Sequence, residues 1–261
     1  MNKIIILLSL MMVSFKTTDF SLVNSIPVNA NTFKVDHLGN IYILKEGVLE
    51  KYDEQGKLFK TYTNKLLGSI SFIDVSNPLK LILFYKNFSQ IVFLDNMLSP
   101  KGNPVVMGEI GFQQPSLVCS SYNNGLWVFN LQNAELVRLD QNLQPGLKTG
   151  NIGQLLNMEI NPNYLLEHNN MVYLNNPKVG ILIFDIYGTY YKTIPLKGLQ
   201  EFQLNTDHIF YYQDKKMMTF NLKTLDQNFI ELPDTNSIAA AIEKGKLYLL
   251  RLNRLDVYSI R

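Results

Sequence analysis

A repeat of about 41 residues runs through the sequence and constrains its fold more tightly than any other feature. Each copy opens with a turn cluster and continues into a short apolar strand carrying an aromatic anchor. Asp36-His37-Leu38-Gly39-Asn40 precedes Ile41-Tyr42-Ile43-Leu44, and Asn123-Asn124-Gly125 precedes Leu126-Trp127-Val128-Phe129. His168-Asn169-Asn170 precedes Met171-Val172-Tyr173-Leu174, Thr206-Asp207-His208 precedes Ile209-Phe210-Tyr211-Tyr212, and Glu243-Lys244-Gly245-Lys246 precedes Leu247-Tyr248-Leu249-Leu250. A degenerate copy, Asn77-Pro78 before Leu81-Ile82-Leu83-Phe84, has Leu83 in the anchor position. From Tyr42 to Tyr248 there are 206 residues in five steps. A second ladder keeps the same step: the strand after each anchor closes on Asp53, Asp95, Asp140, Asp185 and Asn221, each after an apolar residue. Asp and Asn suit that place because their side chains accept backbone N–H groups two residues on and so start a turn.

Short apolar runs with turn signals every 8–12 residues describe an all-β chain. A period near 41 matches a four-stranded propeller blade. Six units predict a six-bladed β-propeller over residues 19–261. The inner strands fall at Phe33-Lys34-Val35, Ser71-Phe72-Ile73, Leu117-Val118-Cys119, Tyr164-Leu165-Leu166, Phe202-Gln203-Leu204 and Ala239-Ala240-Ala241, and none contains Asp or Glu. The last unit has only three strands, Ile238–Ile242, Leu247–Leu250 and Leu255–Ile260. Phe20 to Val28 alternates apolar and polar residues and supplies the missing outer strand, so the N-terminal strand closes the ring. One helical turn is expected between Leu155 and Ile160.

Composition narrows the function classes. Hydrophobic residues make up 46% and charged residues 18%, a balance suited to a packed globular domain rather than a disordered one. The net charge is +2 and the longest basic run is Lys215-Lys216, which argues against nucleic acid as a partner. The single cysteine, Cys119, lies in the apolar stretch Leu117-Val118-Cys119 and is expected to be a buried, inert thiol. It is far from the N-terminus, so no lipid anchor is expected. Lys3 followed by the apolar run Ile4 to Val13 is the layout of a secretory signal peptide over residues 1–18, and the run is too short to span a bilayer. No A-x-A site follows it directly, and Val28-Asn29-Ala30 lies far downstream, so export is expected without an assigned cut.

Aromatic strand, turn, and apolar strand ending in Asp, with glycines at Gly39, Gly56, Gly125, Gly188 and Gly245, resemble the superfamily of NHL-like, TolB-like and quinoprotein-like propellers. The resemblance covers residues 20–261, is specific to the architecture, and is strongest to six-bladed propellers of bacterial envelopes. WD40 repeats need a recurring Trp-Asp, but the one Trp, Trp127, is followed by Val128. No Gly-Gly marks kelch blades and no Ser-x-Asp-x-Gly-x-Thr-Trp marks sialidase-type blades. One Trp also argues against the repeated Trp docking of quinoproteins, and so against pyrroloquinoline quinone.

Within that superfamily, lactonase-type hydrolases hold a metal in the central channel, and calcium there would want several convergent oxygen ligands. Asp74, Glu167, Glu201 and Glu243 sit at or past the ends of the inner strands and are the carboxylates from which a metal site there would be built. The histidines His37, His168 and His208 fall in equivalent first-hairpin turns of blades one, four and five, too spread around the ring for a three-His zinc site. No G-x-S-x-G, P-loop, G-x-G-x-x-G or H-E-x-x-H occurs. No catalytic, cofactor-binding or metal-binding residue is assigned, and no cofactor is expected. Phe112, Gln113 and Gln114, with Asn151, Gln154 and Asn157, lie in the longer connections and are candidate contact residues that ordinary packing also explains. The expectation is a non-enzymatic scaffold binding a protein or peptide partner in the bacterial envelope. The alternative is a small-molecule-binding, sugar-binding or hydrolytic propeller with a metal in its channel.

Overall fold

The structure, a computed structural model, describes residues 19–261; the signal peptide expected over Met1–Thr18 lies outside the described residues. Twenty-four strands form six antiparallel four-stranded sheets. Strand β1 (Phe20–Pro27) precedes the first complete blade. Blade 1 is β2 (Phe33–Val35), β3 (Ile41–Lys45), β4 (Val48–Tyr52) and β5 (Leu58–Thr63). Blade 2 is β6 (Phe72–Asp74), β7 (Leu81–Tyr85), β8 (Gln90–Leu94) and β9 (Val105–Val106). Blade 3 is β10 (Pro115–Ser120), β11 (Leu126–Asn130), β12 (Glu135–Leu139) and β13 (Pro145–Lys148). Blade 4 is β14 (Tyr164–His168), β15 (Met171–Asn176), β16 (Gly180–Asp185) and β17 (Tyr190–Ile194). Blade 5 is β18 (Gln203–Asn205), β19 (His208–Gln213), β20 (Lys216–Asn221) and β21 (Gln227–Ile230). Blade 6 joins β22 (Ala239–Glu243), β23 (Lys246–Leu250) and β24 (Arg254–Ile260) to β1, in the order β1-β24-β23-β22.

The ring closes as its sequence implies. β1 pairs antiparallel with β24 from Phe20 opposite Ile260 to Pro27 opposite Arg254, with a bulge between Leu22 and Asn24. Ser25 Oγ donates to Asp256 Oδ1 at 2.6 Å inside this pair. Gly56 faces this seam at φ +77, a left-handed conformation that side chains with a Cβ rarely adopt, which is why the turn carries glycine. The expected helical turn is α1 (Ile152–Leu156), three residues earlier than its sequence suggested, because Asn151 caps it by accepting the Gln154 N–H at 2.8 Å.

The second ladder works as turn chemistry. Asp53, Asp95, Asp140 and Asp185 each accept two backbone N–H groups, from the residues two and four positions on, at 2.8–3.1 Å. Asn221 accepts from Lys223 and Thr224. The anchors are core: Tyr42, Trp127 and Tyr248 are fully buried, and Leu83 fills the same place in blade 2. Burying one such side chain contributes roughly 1.5–3 kcal/mol. The core is divided into wedges between neighbouring blades. Tyr42, Ile73 and Leu83 pack blade 1 on blade 2, while Trp127, Leu165 and Phe184 pack blade 3 on blade 4. The wedge built on blade 6 from Leu247, Leu249 and Tyr258, with Leu232 from the end of blade 5, is the smallest, and polar bonds add to this seam. There Tyr212 Oη donates to the Ser237 carbonyl at 2.7 Å and Gln203 Oε1 accepts the Ile242 N–H at 2.9 Å.

Candidate functional site: the central channel

Inner strands of a propeller are edge strands, so their outward N–H groups need partners from the next blade or from water. The register places Val35, Asp74, Ser120, Glu167, Gln203 and Ile242 at one equivalent position, each paired with the residue just before its blade's anchor. The polar members of that ring fasten blades together. Asp74 Oδ2 accepts the Ser120 N–H at 2.6 Å, and its Oδ1 accepts the Ser76 N–H at 2.8 Å. Gln203 makes the matching bond to Ile242. Glu167 reaches back to blade 3, where Oε2 accepts from Ser121 Oγ at 2.6 Å and Trp127 Nε1 at 2.7 Å, and Oε1 accepts the Tyr122 N–H at 3.0 Å.

This corrects the expectation that inner strands carry no acid. Asp74, Glu167 and Glu243 lie within β6, β14 and β22, because these strands run one or two residues further than their apolar cores. The four carboxylates do not converge on one point. Asp74 and Glu167 serve blade junctions, Glu201 pairs with Lys34, and burial raises the Glu243 carboxyl. Among the described residues no group of three or more His, Cys, Asp or Glu is placed to hold a metal ion.

Lys34 of blade 1 crosses the channel. Its ammonium pairs with Glu201 of blade 5 and lies 5.0 Å from the ring centre of Tyr164 in blade 4. Phe72 of blade 2 meets Tyr164 edge-on at 6.0 Å, and Phe202 of blade 5 meets it at 5.2 Å. Burial opposes the Lys34 charge, but Tyr164, Glu201 and Asp74 outweigh it and raise its pKa. Burial likewise pushes Tyr164 up to about 12, although Lys34 pulls the other way. Four blades therefore meet at one cation–aromatic–carboxylate contact. Around it lies a cavity of about 480 Å³, lined also by Leu166, Gln203, Phe210 and Ala239.

The histidines separate as their turns do. His37 is exposed in a turn, while His168 ends β14 and His208 begins β19, one step inside the strands rather than in the turns themselves. Burial lowers the pKa of His168, and His208 Nε2 lies 3.1 Å from Asn221 Nδ2. Cys119 is buried and free, its thiol pushed up by burial. Of the candidate contact residues, Phe112 is core and Asn151 and Asn157 cap α1, leaving Gln113, Gln114 and Gln154 exposed. The interblade acids were missed in the sequence, though aligning inner strands on their anchors puts four polar residues in one column.

These features define the class: a six-bladed β-propeller of four-stranded antiparallel blades, closed by its N-terminal strand. No protein-family model matches the chain, and no curated protein matches it in sequence. Similar solved structures are propeller proteins at low identity. Catalytically inactive virginiamycin B lyase from Staphylococcus aureus is 11% identical, covering 92% of this chain and 99% of that one, with a TM-score of 0.63. BBS1N, solved in complex with ARL6DN, is 10% identical over 90% of this chain and 78% of that one, at 0.57. The extracellular domain of BT4673 from B. thetaiotaomicron is 14% identical over 87% of this chain but 32% of that one, at 0.56. One neighbour is a lyase and another was solved with a protein bound, so the likeness speaks to the fold alone.

Proposed function

We propose that this propeller is a non-enzymatic scaffold that carries a protein or peptide partner in the bacterial cell envelope. The observation that carries this reading is a set of apolar side chains left in water on the loops of the ring, the two most exposed of them on one face. Loops that join strand two to strand three, and one blade to the next, share that face. It bears Leu66 at 87% exposure and Leu252 at 77%, with Phe88, Leu131 and Leu155 also exposed, while the opposite face exposes Leu79, Tyr187 and Leu225 less fully than the first two. Exposed apolar side chains gathered on loops of a rigid frame are the usual material of a protein interface. The channel acids support the same reading, since Asp74, Glu167 and Glu201 are occupied in holding blades together. Export is supported by Lys3 and the apolar run Ile4–Val13, and by a neighbour whose own name describes an extracellular domain.

The test is a double substitution, Leu66→Asp with Leu252→Asp, compared with wild type by cross-linking and capture from the native envelope. A partner held by wild type and lost from the variant, at unchanged melting temperature, is the expected result. A partner retained at full yield would remove this face from the reading. A small-molecule site in the channel is the second reading, favoured by the aromatic lining of the 480 Å³ cavity. Metal content and ligand-induced stabilisation of purified protein distinguish the two.

A further inference from the structure

We propose that the cleft between blades 2 and 3, on the face opposite those apolar loops, binds a ligand through a carboxylate or phosphate oxyanion held by Lys80 and Lys101. The cleft has a volume of about 530 Å³ and its walls are Asn77, Leu79, Lys80, Phe93, Lys101, Asn124, Gln141, Asn142 and Leu143. Two cations and four side-chain amides line it, and no carboxylate does. Lys80 is half-buried, with its ammonium 4.5 Å from the ring centre of Phe93 and donating to the Asn124 carbonyl at 2.8 Å. Lys101 stands on the same wall with an exposed side chain, its backbone N–H bonded to the Phe93 carbonyl at 2.8 Å. Neither lysine has a carboxylate within ion-pair distance among the described residues. Asp95, six residues before Lys101, and Asp140, next to Gln141 of the cleft wall, are turned into their own hairpins, where each accepts two backbone N–H groups.

The fold supplies its own comparison at the junction of blades 6 and 1. There Lys244, from the first hairpin turn of blade 6, donates to the Leu38 carbonyl at 3.1 Å and to Glu54 Oε2 at 3.3 Å. Leu38 precedes Gly39 in the first turn of blade 1, as Asn124 precedes Gly125 in the first turn of blade 3. Glu54 follows the turn residue Asp53, as Gln141 follows Asp140. Both junctions therefore point a lysine at the same carbonyl, but the second has an amide where the first has a carboxylate. Burial and the neighbouring Lys101 both lower the pKa of Lys80, as expected for a cation lacking its counter-charge. An incoming oxyanion restores it, with Asn and Gln amides free to donate to the rest of the ligand.

The test is calorimetric titration of the full chain at low ionic strength with two probes, inorganic phosphate and succinate. Wild type should bind at least one of them saturably, and the tighter probe identifies the oxyanion as phosphate-like or carboxylate-like. Lys80→Gln and Lys101→Gln should each weaken binding about tenfold or more, the loss of one charge-assisted hydrogen bond. Gln141→Glu places the missing carboxylate inside the cleft and should weaken binding as much while leaving or raising the melting temperature. That variant keeps the proposal refutable even if a lysine substitution disturbs folding. No saturable binding of either probe by wild type, or binding unchanged in Gln141→Glu, would overturn it.

Discussion

Glu167→Ala is the sharpest test of how this ring is held together. The carboxylate accepts three bonds from blade 3, from Ser121 Oγ, Trp127 Nε1 and the Tyr122 N–H, at 2.6, 2.7 and 3.0 Å. Trp127 is fully buried, so its indole N–H has no route to water once the carboxylate is gone. A hydrogen bond to a charged group nets about 1.5–3 kcal/mol. Three bonds sharing one carboxylate do not add in full, and removing one side of a buried charged network costs about 3–5 kcal/mol. In a chain of this size each kcal/mol moves the melting temperature by about 2–4 °C, so Glu167→Ala should melt about 6–20 °C lower. Glu167→Gln keeps the shape and one acceptor and should lose roughly half as much. Scanning calorimetry reads the loss, and Trp127, the only tryptophan, reports the site directly by its emission. If Glu167→Ala melts within about 2 °C of wild type with unchanged emission, the interblade role assigned to this carboxylate is wrong.

Removing residues up to Ala30 should leave β24 with a bare edge and take Ile26, Val28 and Ala30 out of the core, so the truncated protein should aggregate on mild heating. Light scattering checks this, and a soluble protein with wild-type melting would contradict ring closure. Lys34, whose folded pKa is raised, contributes stability that is complete below its unfolded pKa near 10.4 and drains away as pH rises above it. Wild type should therefore lose melting temperature between pH 9 and pH 11.5 more steeply than Lys34→Met does. Equal slopes would show that the Lys34–Glu201 contact adds nothing to the fold. The comparison with the variant removes the contribution of buried tyrosines, which titrate in the same range and act in the same direction.

Much of this architecture is legible in the chain because its determinants are local. Asp53, Asp95, Asp140, Asp185 and Asn221 bond within four residues of themselves, so their spacing marks the turns directly. The closure by Phe20–Val28 follows from counting strands, since a propeller edge must be covered. The site is less legible for a matching reason. Lys34, Tyr164 and Glu201 are brought together only when blades 1, 4 and 5 surround one channel, and nothing near each in sequence announces the others. Strand ends were misjudged at Asp74, Glu167 and Glu243 because a carboxylate on an inner strand is read as exposed. For Asp74 and Glu167 the partner is a neighbouring blade 46 residues away.

Closure by β1 also sets the order in which the molecule can assemble. Every pairing inside blades 1 to 5 joins neighbours in sequence, but Ser25 and Asp256 are separated by 231 residues. Loop-closure entropy grows by about 0.6 kcal/mol per doubling of length, so this pairing costs roughly 2 kcal/mol more to initiate than a 20-residue hairpin. It is also the pairing with the greatest sequence separation, the kind that slows folding most. Until it forms, blade 6 is a three-stranded sheet and β1 is an unpaired strand beside it, two complementary edges each able to accept a foreign chain. The time spent as an open ring, rather than the stability of the closed one, then governs whether the chain ends as a monomer or exchanges its first strand with a neighbour, and dilution during refolding should favour the monomer.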